Sequence, residues 1–530
     1  MGAGGMAPRA RRGARWARNA AGRRVPRELD GRTWRPFAGA GRTPGRGRRR
    51  AAPVRRGSEG RSKLQPSIGE VLGAFKAKSG WTFGFHHHLR NGEGLILPTL
   101  EAARELGLRR LRLAQVAMFP VHEPVIGFIE DGTVGRIEGS MNGPVGDLVS
   151  RGGLPHPAVL RTHGGRTRAV EAGELHLDMS LIAASEADAQ GNANGVNGPH
   201  AFGPMAYSRI DWEYADRVVV VTDDLVPYPA VPAPIDESRV DAVVEVDSIG
   251  APGGIRYGTT KLTTDPERLR MAEQTVALLD AVGLLKEGFS FQAGAGGTSL
   301  AVEQFLADFF IDRRIRAGFC MGGTTRFVTR MLEEGCLGAI LDAQAFDLEA
   351  VESLRRNFPR HMEISPYRFA SPHTGSCVVQ SVDACFLGGT EVDVDFNVNV
   401  NTHSDGRLLH GTGGHSDAAA GAEVAIVLVP VARKDNAIVR DRVTTCTTPG
   451  ETVDVVITDR GIAINPLRKD LLKRLEGTAL PIRPIEELRD EAYGTAGEEP
   501  EGPDWDTDDV VAVIEYRDGT MLDVVHRLKD

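Results

Sequence analysis

The chain of 530 residues is 41% hydrophobic, holds 63 glycines and carries a formal net charge of −8, a composition that excludes fibrous and wholly disordered classes. No run approaches the ~18 uncharged apolar residues of a membrane-spanning helix. The five cysteines (Cys320, Cys336, Cys377, Cys385, Cys446) are scattered and never form a CxxC pair, which argues against a disulfide framework or zinc site and for buried thiols in a reducing cytoplasm.

Charge is unevenly spread. Residues 1–61 hold 18 arginines against Glu28, Asp30 and Glu59, a net of about +15, which leaves the remainder near −23. The Arg/Gly/Pro/Ala bias reads as a disordered tail over residues 1–60, and the acidic body makes nucleic acid an unsuitable partner. Residues 1–24 have neither an apolar segment nor helical periodicity, so they are expected to be dispensable.

Along the body, helical and extended patterns alternate. Pro98 to Leu106 reads as a helix stopped by Gly107, and LRLAQVAMF as the strand after it. LHLDMSLIAA (175–184), RVVVVTDD (217–224) and VDAVVEVDSIG (240–250) read as buried strands, and RLRMAEQTVALLDAVG (268–283) as a long amphipathic helix ended by Gly283. Next come strands at IRAGFCM and LGAILDAQ and helices around VTRMLEEG and DLEAVESLRRNF. EVDVDFNVNVN alternates with period two, and Asp518-Gly519 marks a hairpin between apolar runs. Such alternation predicts an α/β protein of βαβ units with mainly parallel sheets. The expected division is a domain over 61–285 and a second over 286–530.

Several segments invite a ligand. In FSFQAGAGGTSLAV a short apolar run enters the turn Gly294-Ala295-Gly296-Gly297 and then a helix. A turn without side chains exposes peptide N–H groups at the positive end of a helix dipole, which suits a carboxylate, a phosphate or a developing oxyanion. It lacks the P-loop lysine and GxGxxG spacing of nucleotide sites. GTGGHSDAAAGAEVAI, with Gly413 and Gly414, is a second turn of this kind. In FHHHLRNGEG, His86 and His88 would share one face of an extended segment and His87 the other, with Arg90 beside them; no carboxylate or cysteine spacing completes a metal site there. FNVNVNTHSDG puts Asn397, Asn399 and Asn401 on one strand face, near His403, as ligands for carboxylates or as a satisfied amide ladder. ASEADAQGNANG (184–195) has the turn formers of a functional loop. Neither a GxSxG elbow, an HExxH helix nor a Cys/His pair supplies a nucleophile.

Taken together, IEGSMNGPVG, RTHGGRTRA, GELHLDMSLIAASEADAQGNANG, FQAGAGGTSLAV, EVDVDFNVNVNTHSDG, GGHSDAAAGAEVAI and ETVDVVITDRGIAINPLR resemble the citrate lyase alpha subunit family, in order, from about residue 25 to the C-terminus. The resemblance implies two related domains of the CoA-transferase fold. It implies citrate CoA-transferase activity in acyl-carrier form: acetyl-carrier plus citrate gives citryl-carrier plus acetate. The implied partners are a beta subunit that cleaves the citryl thioester and a gamma acyl carrier with a CoA-derived prosthetic group, CoA thioesters serving as substitutes. No cofactor is expected on this chain itself.

Many proteins of that fold carry a catalytic glutamate ahead of a helix ending in Glu-x-Gly. Matched on LEEG here, its position falls at Gly323 in FCMGGTTRF. The resemblance therefore implies attack by a citrate carboxylate on the acetyl thioester and a transient mixed anhydride, with oxyanions stabilised by the glycine turns at 294–297, 322–323 and 413–414. Two other functions remain open from residues alone: an acyl-CoA hydrolase or CoA-transferase using another acid, and a non-catalytic scaffold for an acyl carrier.

Overall fold

Two sheets carry the fold, and each repeats the winding of the other. The computed structural model describes residues 16–40, 50–52, 61–258, 261–294, 296–497 and 501–529. The first sheet has seven parallel strands in the order Leu64–Gln65, Ala242–Glu245, Val218–Thr222, Met179–Ala184, Thr82–Phe85, Leu111–Gln115, Val134–Ile137. The second has eight: His361–Glu363, Leu337–Ala345, Ala317–Thr324, Ser290–Ala293, Ala384–Gly388, Val424–Leu428, Val455–Ile457, Ile462–Ile464, only the last pair being antiparallel. Val218–Val221 are all fully buried, as expected of a parallel strand covered on both faces.

The second sheet starts at its inner strand Ser290–Ala293, adds strands outward on one side, then returns to build the other; the first does the same from Thr82–Phe85, after a short edge strand, Leu64–Gln65, laid down earlier in the chain. Ligands of such sheets lie beyond the carboxyl ends of the strands where the winding reverses. The first residues past those two inner strands are His86 and Gly294.

A second repeat lies beside the first. Glu186-x-Asp188-x-x-x-Asn192-x-Asn194 and Glu391-x-Asp393-x-x-x-Asn397-x-Asn399 share one pattern and one structure. Each is a short antiparallel pair with a third strand, Leu225–Val226 or Val439–Arg440, parallel to its first. Asn192 donates to Asp188 (2.8 Å) and Asn194 to Glu186 (2.8 Å), as Asn397 does to Asp393 (3.1 Å) and Asn399 to Glu391 (2.9 Å). Instead of one strand, EVDVDFNVNVN thus forms two, Glu391–Asp393 and Val398–Asn399, joined through Phe396 at φ 63°.

Three expectations about domains are corrected. The helix Pro266–Ala281, capped by Asp265 and ended before Gly283 at φ 74°, buries Met271, Leu278 and Leu279 in one core with Phe289 and Phe310. It belongs to the second domain, so the boundary lies before residue 266 and not near 285. The hairpin Trp505–Glu515/Met521–Leu528, turning at Gly519 (φ 84°), leaves the second domain and pairs in parallel with Ala158–Arg161 of the first. A compact apolar contact would not specify that register; Glu515, fully buried, receives Arg161 Nε and Arg168 Nη2 at 3.0 Å each.

The third correction concerns the tail. Residues 16–40 are built into the fold, with Val25, Leu29 and Trp34 buried against Val159, Val513 and Met521 of that hairpin assembly. Asn19 Nδ2 donates to Leu522 O (2.6 Å), and Arg23 pairs with buried Asp523 (2.6 Å) while donating to the Val443 and Thr444 carbonyls. In composition the arginines of this segment outweigh these few apolar anchors. Residues 1–15, 41–49 and 53–60 of the expected tail lie outside the described residues. Among the described residues no helix is long and apolar enough to cross a membrane.

Removing one partner of a buried ion pair strands the other, at a cost of about 3–5 kcal/mol. Arg23→Ala, or a chain begun at residue 25, should therefore show a clearly lower unfolding midpoint in denaturant; a midpoint equal to wild type would restore dispensability of residues 16–24.

Candidate functional site

Residues at or just past the carboxyl ends of strands in both domains meet in one crevice. Because the first inner strand stops at Phe85, the next three residues do not alternate between faces, and the expectation that His87 points away from its neighbours fails. His86 and His88 lie 5.7 Å apart, and His87 packs on Tyr207 (5.1 Å) and His163 (6.1 Å). His163 opens the helix His163–Glu171, whose cap Thr162 accepts from Gly165 N; its ring lies 4.5 Å from Tyr207 and 6.3 Å from Phe369 of the second domain. Gln344 Nε2, at the end of a second-domain strand, donates to His87 O at 3.3 Å.

Both ring nitrogens of His86 and of His88, and Nδ1 of His87, are buried without a hydrogen-bond partner among the described residues. Buried polar atoms are normally bonded, so this cluster is shaped for a polar ligand or water. Burial, reinforced for His86 by Arg166, pushes these imidazoles well below their ordinary 6.5, and His163 down to about 3 for the same two causes. The crevice is thus lined with neutral imidazoles. Arg166 is itself spent on a bidentate pair with Asp211 (2.7 and 2.8 Å).

Arg90 is different. It adopts φ 53°, a backbone conformation unfavourable for a long side chain, and its guanidinium lies over Phe119 (5.0 Å) and Phe346 (5.1 Å). Nη2 donates to Tyr257 O (2.9 Å), and Nε is buried with no partner. No carboxylate pairs with it among the described residues, and burial lowers its pKa to about 10. An enclosed cation without a counter-ion is a ready anchor for an anionic ligand.

The glycine turns divide. Gly413 O accepts from His163 N (2.9 Å), and a Cβ on Gly414 would lie 3.1 Å from the Phe369 ring, so this turn is part of the crevice wall. Gly322, at φ 103° beside a strand irregularity, lies against Gln292 and Phe369. A Cβ on Gly323 would fall 1.9 Å from the Phe346 ring: the place of a side chain is already filled. Gly294 N–H is engaged by Phe386 O (3.1 Å), which removes it as a ligand donor. Gly296 caps the helix Gly297–Arg313 and faces open space, whereas a Cβ on Gly297 would meet Lys261 O at 2.9 Å. Ala295 lies outside the described residues.

The asparagines are corrected as citrate ligands. Asn397 and Asn399 serve the repeated turn; Asn399 Oδ1 accepts from Asn401 N, Thr402 N and Thr445 Oγ1, and Asn401 bonds His410 O and Thr447 Oγ1. All three amides are buried and fully used. The loop 184–195 is likewise occupied with its own turn. His403 sits on an exposed turn closed by Arg407 O (2.8 Å), outside the ring cluster. Among the described residues His176, Asp178 and Asp216 come close enough to share a metal ion, but Arg50 already bridges His176 and Asp216.

His163, Tyr207, Phe369 and Phe346 were not singled out from sequence. RTHGGRTRA held the one usable signal, a capping threonine and histidine directly after a strand. For His163 the unfolded ring titrates near 6.5 and the folded one near 3, so between these values the unfolded chain binds a proton that the folded chain does not. Stability therefore falls as pH drops below about 6.5, by up to ~1.4 kcal/mol per pH unit for this group. His163→Gln should lose less Tm than wild type between pH 7 and 5; parallel curves would mean that the folded ring titrates normally.

With this geometry in place, relatives can be compared. The citrate lyase, alpha subunit (CitF) family model matches residues 61–528. The citrate lyase alpha chains of Haemophilus influenzae and of Escherichia coli K12 are each 39% identical over 469 residues, covering 88% of this chain and 93% and 91% of theirs. The solved alpha subunit of citrate lyase from Streptococcus mutans, in complex with citrate, superposes with a TM-score of 0.91 at 39% identity, over 97% of this chain and all of that one. The alpha subunit of a malonate decarboxylase from Acinetobacter baumannii, 16% identical with a TM-score of 0.61, shares the fold. The chain belongs to the citrate lyase alpha-subunit family.

Proposed function

We propose that this chain exchanges acetate for citrate on an acyl-carrier thioester, as the transferase component of a multi-subunit citrate lyase in the cytoplasm. The observation that carries the reading is Arg90, an enclosed guanidinium without an acid partner among the described residues, set beside neutral histidines whose ring nitrogens are unpartnered. A polycarboxylate with a hydroxyl matches that set: Arg90 takes one carboxylate, and His86 and His88 offer N–H groups to the others. The S. mutans relative, solved in complex with citrate, supports the same ligand class.

The exchange needs no net proton. A citrate carboxylate oxygen attacks the acetyl thioester carbonyl, the C–S bond breaks, and thiolate leaves a citryl–acetyl anhydride. The thiolate then attacks the citryl carbonyl and acetate departs. Each addition places negative charge on a carbonyl oxygen, where preorganised N–H donors lower the barrier most. Gly296, open towards solvent at the start of a 17-residue helix, and the wall at Gly413 and Gly414 are suited to hold the oxyanion or the thioester arm. No side-chain nucleophile is called for: the Phe346 ring fills the place of a side chain at Gly323, and burial pushes the Cys320 and Cys446 thiols well up. The thioester belongs to the prosthetic group of a gamma acyl carrier, or to CoA as a substitute, and a beta subunit receives the citryl product.

The isolated chain, given acetyl-CoA and citrate, should release acetate and form citryl thioester; thioester loss to water without citrate would identify a hydrolase, and no reaction a scaffold. Borohydride trapping during turnover should leave its mass unchanged, and a stoichiometric adduct on a glutamate would defeat the anhydride route. Arg90→Ala should raise the citrate KM roughly tenfold to 150-fold, the size of one lost hydrogen bond to a charged group, with little effect on the thioester KM. Gly296→Val should cut turnover by ~100-fold if its amide holds an oxyanion. It is a cleaner probe than Gly297→Val, which would also displace the backbone at residue 261.

A further inference from the structure

Phe346 follows the second-domain strand Leu337–Ala345 directly, and its amide donates to Thr324 O at 2.9 Å. Its ring has two neighbours that matter. It covers Gly323 so closely that a single methyl there would come to 1.9 Å. It also lies beneath the Arg90 guanidinium of the first domain, at 5.1 Å, with Phe119 at 5.0 Å from the same group. Two residues before it, Gln344 bonds the His87 carbonyl. The end of one strand in the second domain thus holds the histidine–arginine loop of the first.

We propose that Phe346 is a positioning residue for citrate, acting through Arg90, and that residue 323 is glycine because this ring must lie there. The proposal rests on the reading that Arg90 receives a citrate carboxylate. Its physical sense lies in what an aromatic clamp does that an ion pair does not. A carboxylate would hold Arg90 but also neutralise it and occupy its N–H fork. Ring faces attract the cation weakly, fix its plane, and leave the N–H groups for the ligand. The clamp also makes citrate binding depend on both domains, since the ring and the guanidinium come from different sheets.

The test compares Phe346→Ala, Phe346→Leu, Gly323→Ala and the double variant Gly323→Ala/Phe346→Ala, with Arg90→Ala as reference. Citrate KM, acetyl-CoA KM and Tm are measured on each full chain. Loss of an enclosed cation–π contact corresponds to roughly a 10–30-fold rise in citrate KM, with the acetyl-CoA KM changed by less than about twofold. Leucine restores apolar volume but no π face, so it should fail as alanine does, and it carries the test if Phe346→Ala does not fold. Gly323→Ala should raise citrate KM by displacing the ring, and the double variant should be no worse than Phe346→Ala, because no ring remains to displace. A wild-type citrate KM in Phe346→Leu, equal rises in both KM values, or additive single effects would overturn the proposal. If Arg90→Ala itself leaves citrate KM unchanged, the functional reading falls and this inference with it.

Discussion

The parallel pairing of Ala158–Arg161 with the C-terminal hairpin is the constraint on which the rest depends. It brings the last strand pair of the chain back to the first domain, and it ends where the site begins: Thr162 and His163 are the next residues. Glu515, buried between Arg161 and Arg168, sets the register, because sliding by one residue would take its buried carboxylate away from both guanidinium groups. Beyond the hairpin's end, Arg517 continues to Asp417 (3.2 Å) and to the Ala370 carbonyl (2.8 Å) in the second domain. Asp417 in turn accepts from Thr162 Oγ1 (3.0 Å) and Gly164 N (2.8 Å), on either side of His163. A single chain of buried polar contacts therefore joins the hairpin, both domains and the backbone that carries a central ring of the crevice. The N-terminal residues 16–40 matter for the same reason, since they brace the outer face of this hairpin.

The electrostatics follow from burial. Beside the crevice buried arginines are matched: Arg161 by Glu138 (2.5 Å) and Glu515, Arg166 by Asp211. In the crevice burial leaves the imidazoles neutral, and Arg90 is held by aromatic faces and one carbonyl. Neutral rings avoid the larger cost of burying several charges, and their unpartnered nitrogens together with Arg90 suit a polycarboxylate. Carboxylate–thioester exchange suits this environment, since no group on the protein has to gain or lose a proton.

The two domains have kept one winding and diverged at the same topological place. After Thr82–Phe85 the first domain presents three histidines and Arg90, whereas after Ser290–Ala293 the second presents glycines and a helix N-terminus. Polar side chains are thus concentrated in one half and bare backbone in the other. The repeated Glu-x-Asp-x-x-x-Asn-x-Asn turn marks the common plan, and it explains why the asparagines of FNVNVN are buried: they do in the second domain what Asn192 and Asn194 do in the first.

By itself the sequence determined the local and compositional features. Apolar runs of Val and Ile specify buried parallel strands, Gly283 and Gly519 adopt the positive φ that a helix end and a hairpin turn require, and specific motifs specify the family. Arg90 and the glycine turns stand out in one dimension, as a cation beside histidines and as missing side chains. What only the tertiary structure decided is which polar groups are already used. Asn397, Asn399 and Asn401 look like ligands until Asp393, Glu391 and Thr447 are seen to bond them, and Arg23 looks like part of an unstructured tail until Asp523 meets it. His163, Phe369 and Phe346 reach the crevice through contacts between segments far apart in the chain. Hydrogen-bond saturation and burial arise from such long-range partners, so no spacing within a motif can report them.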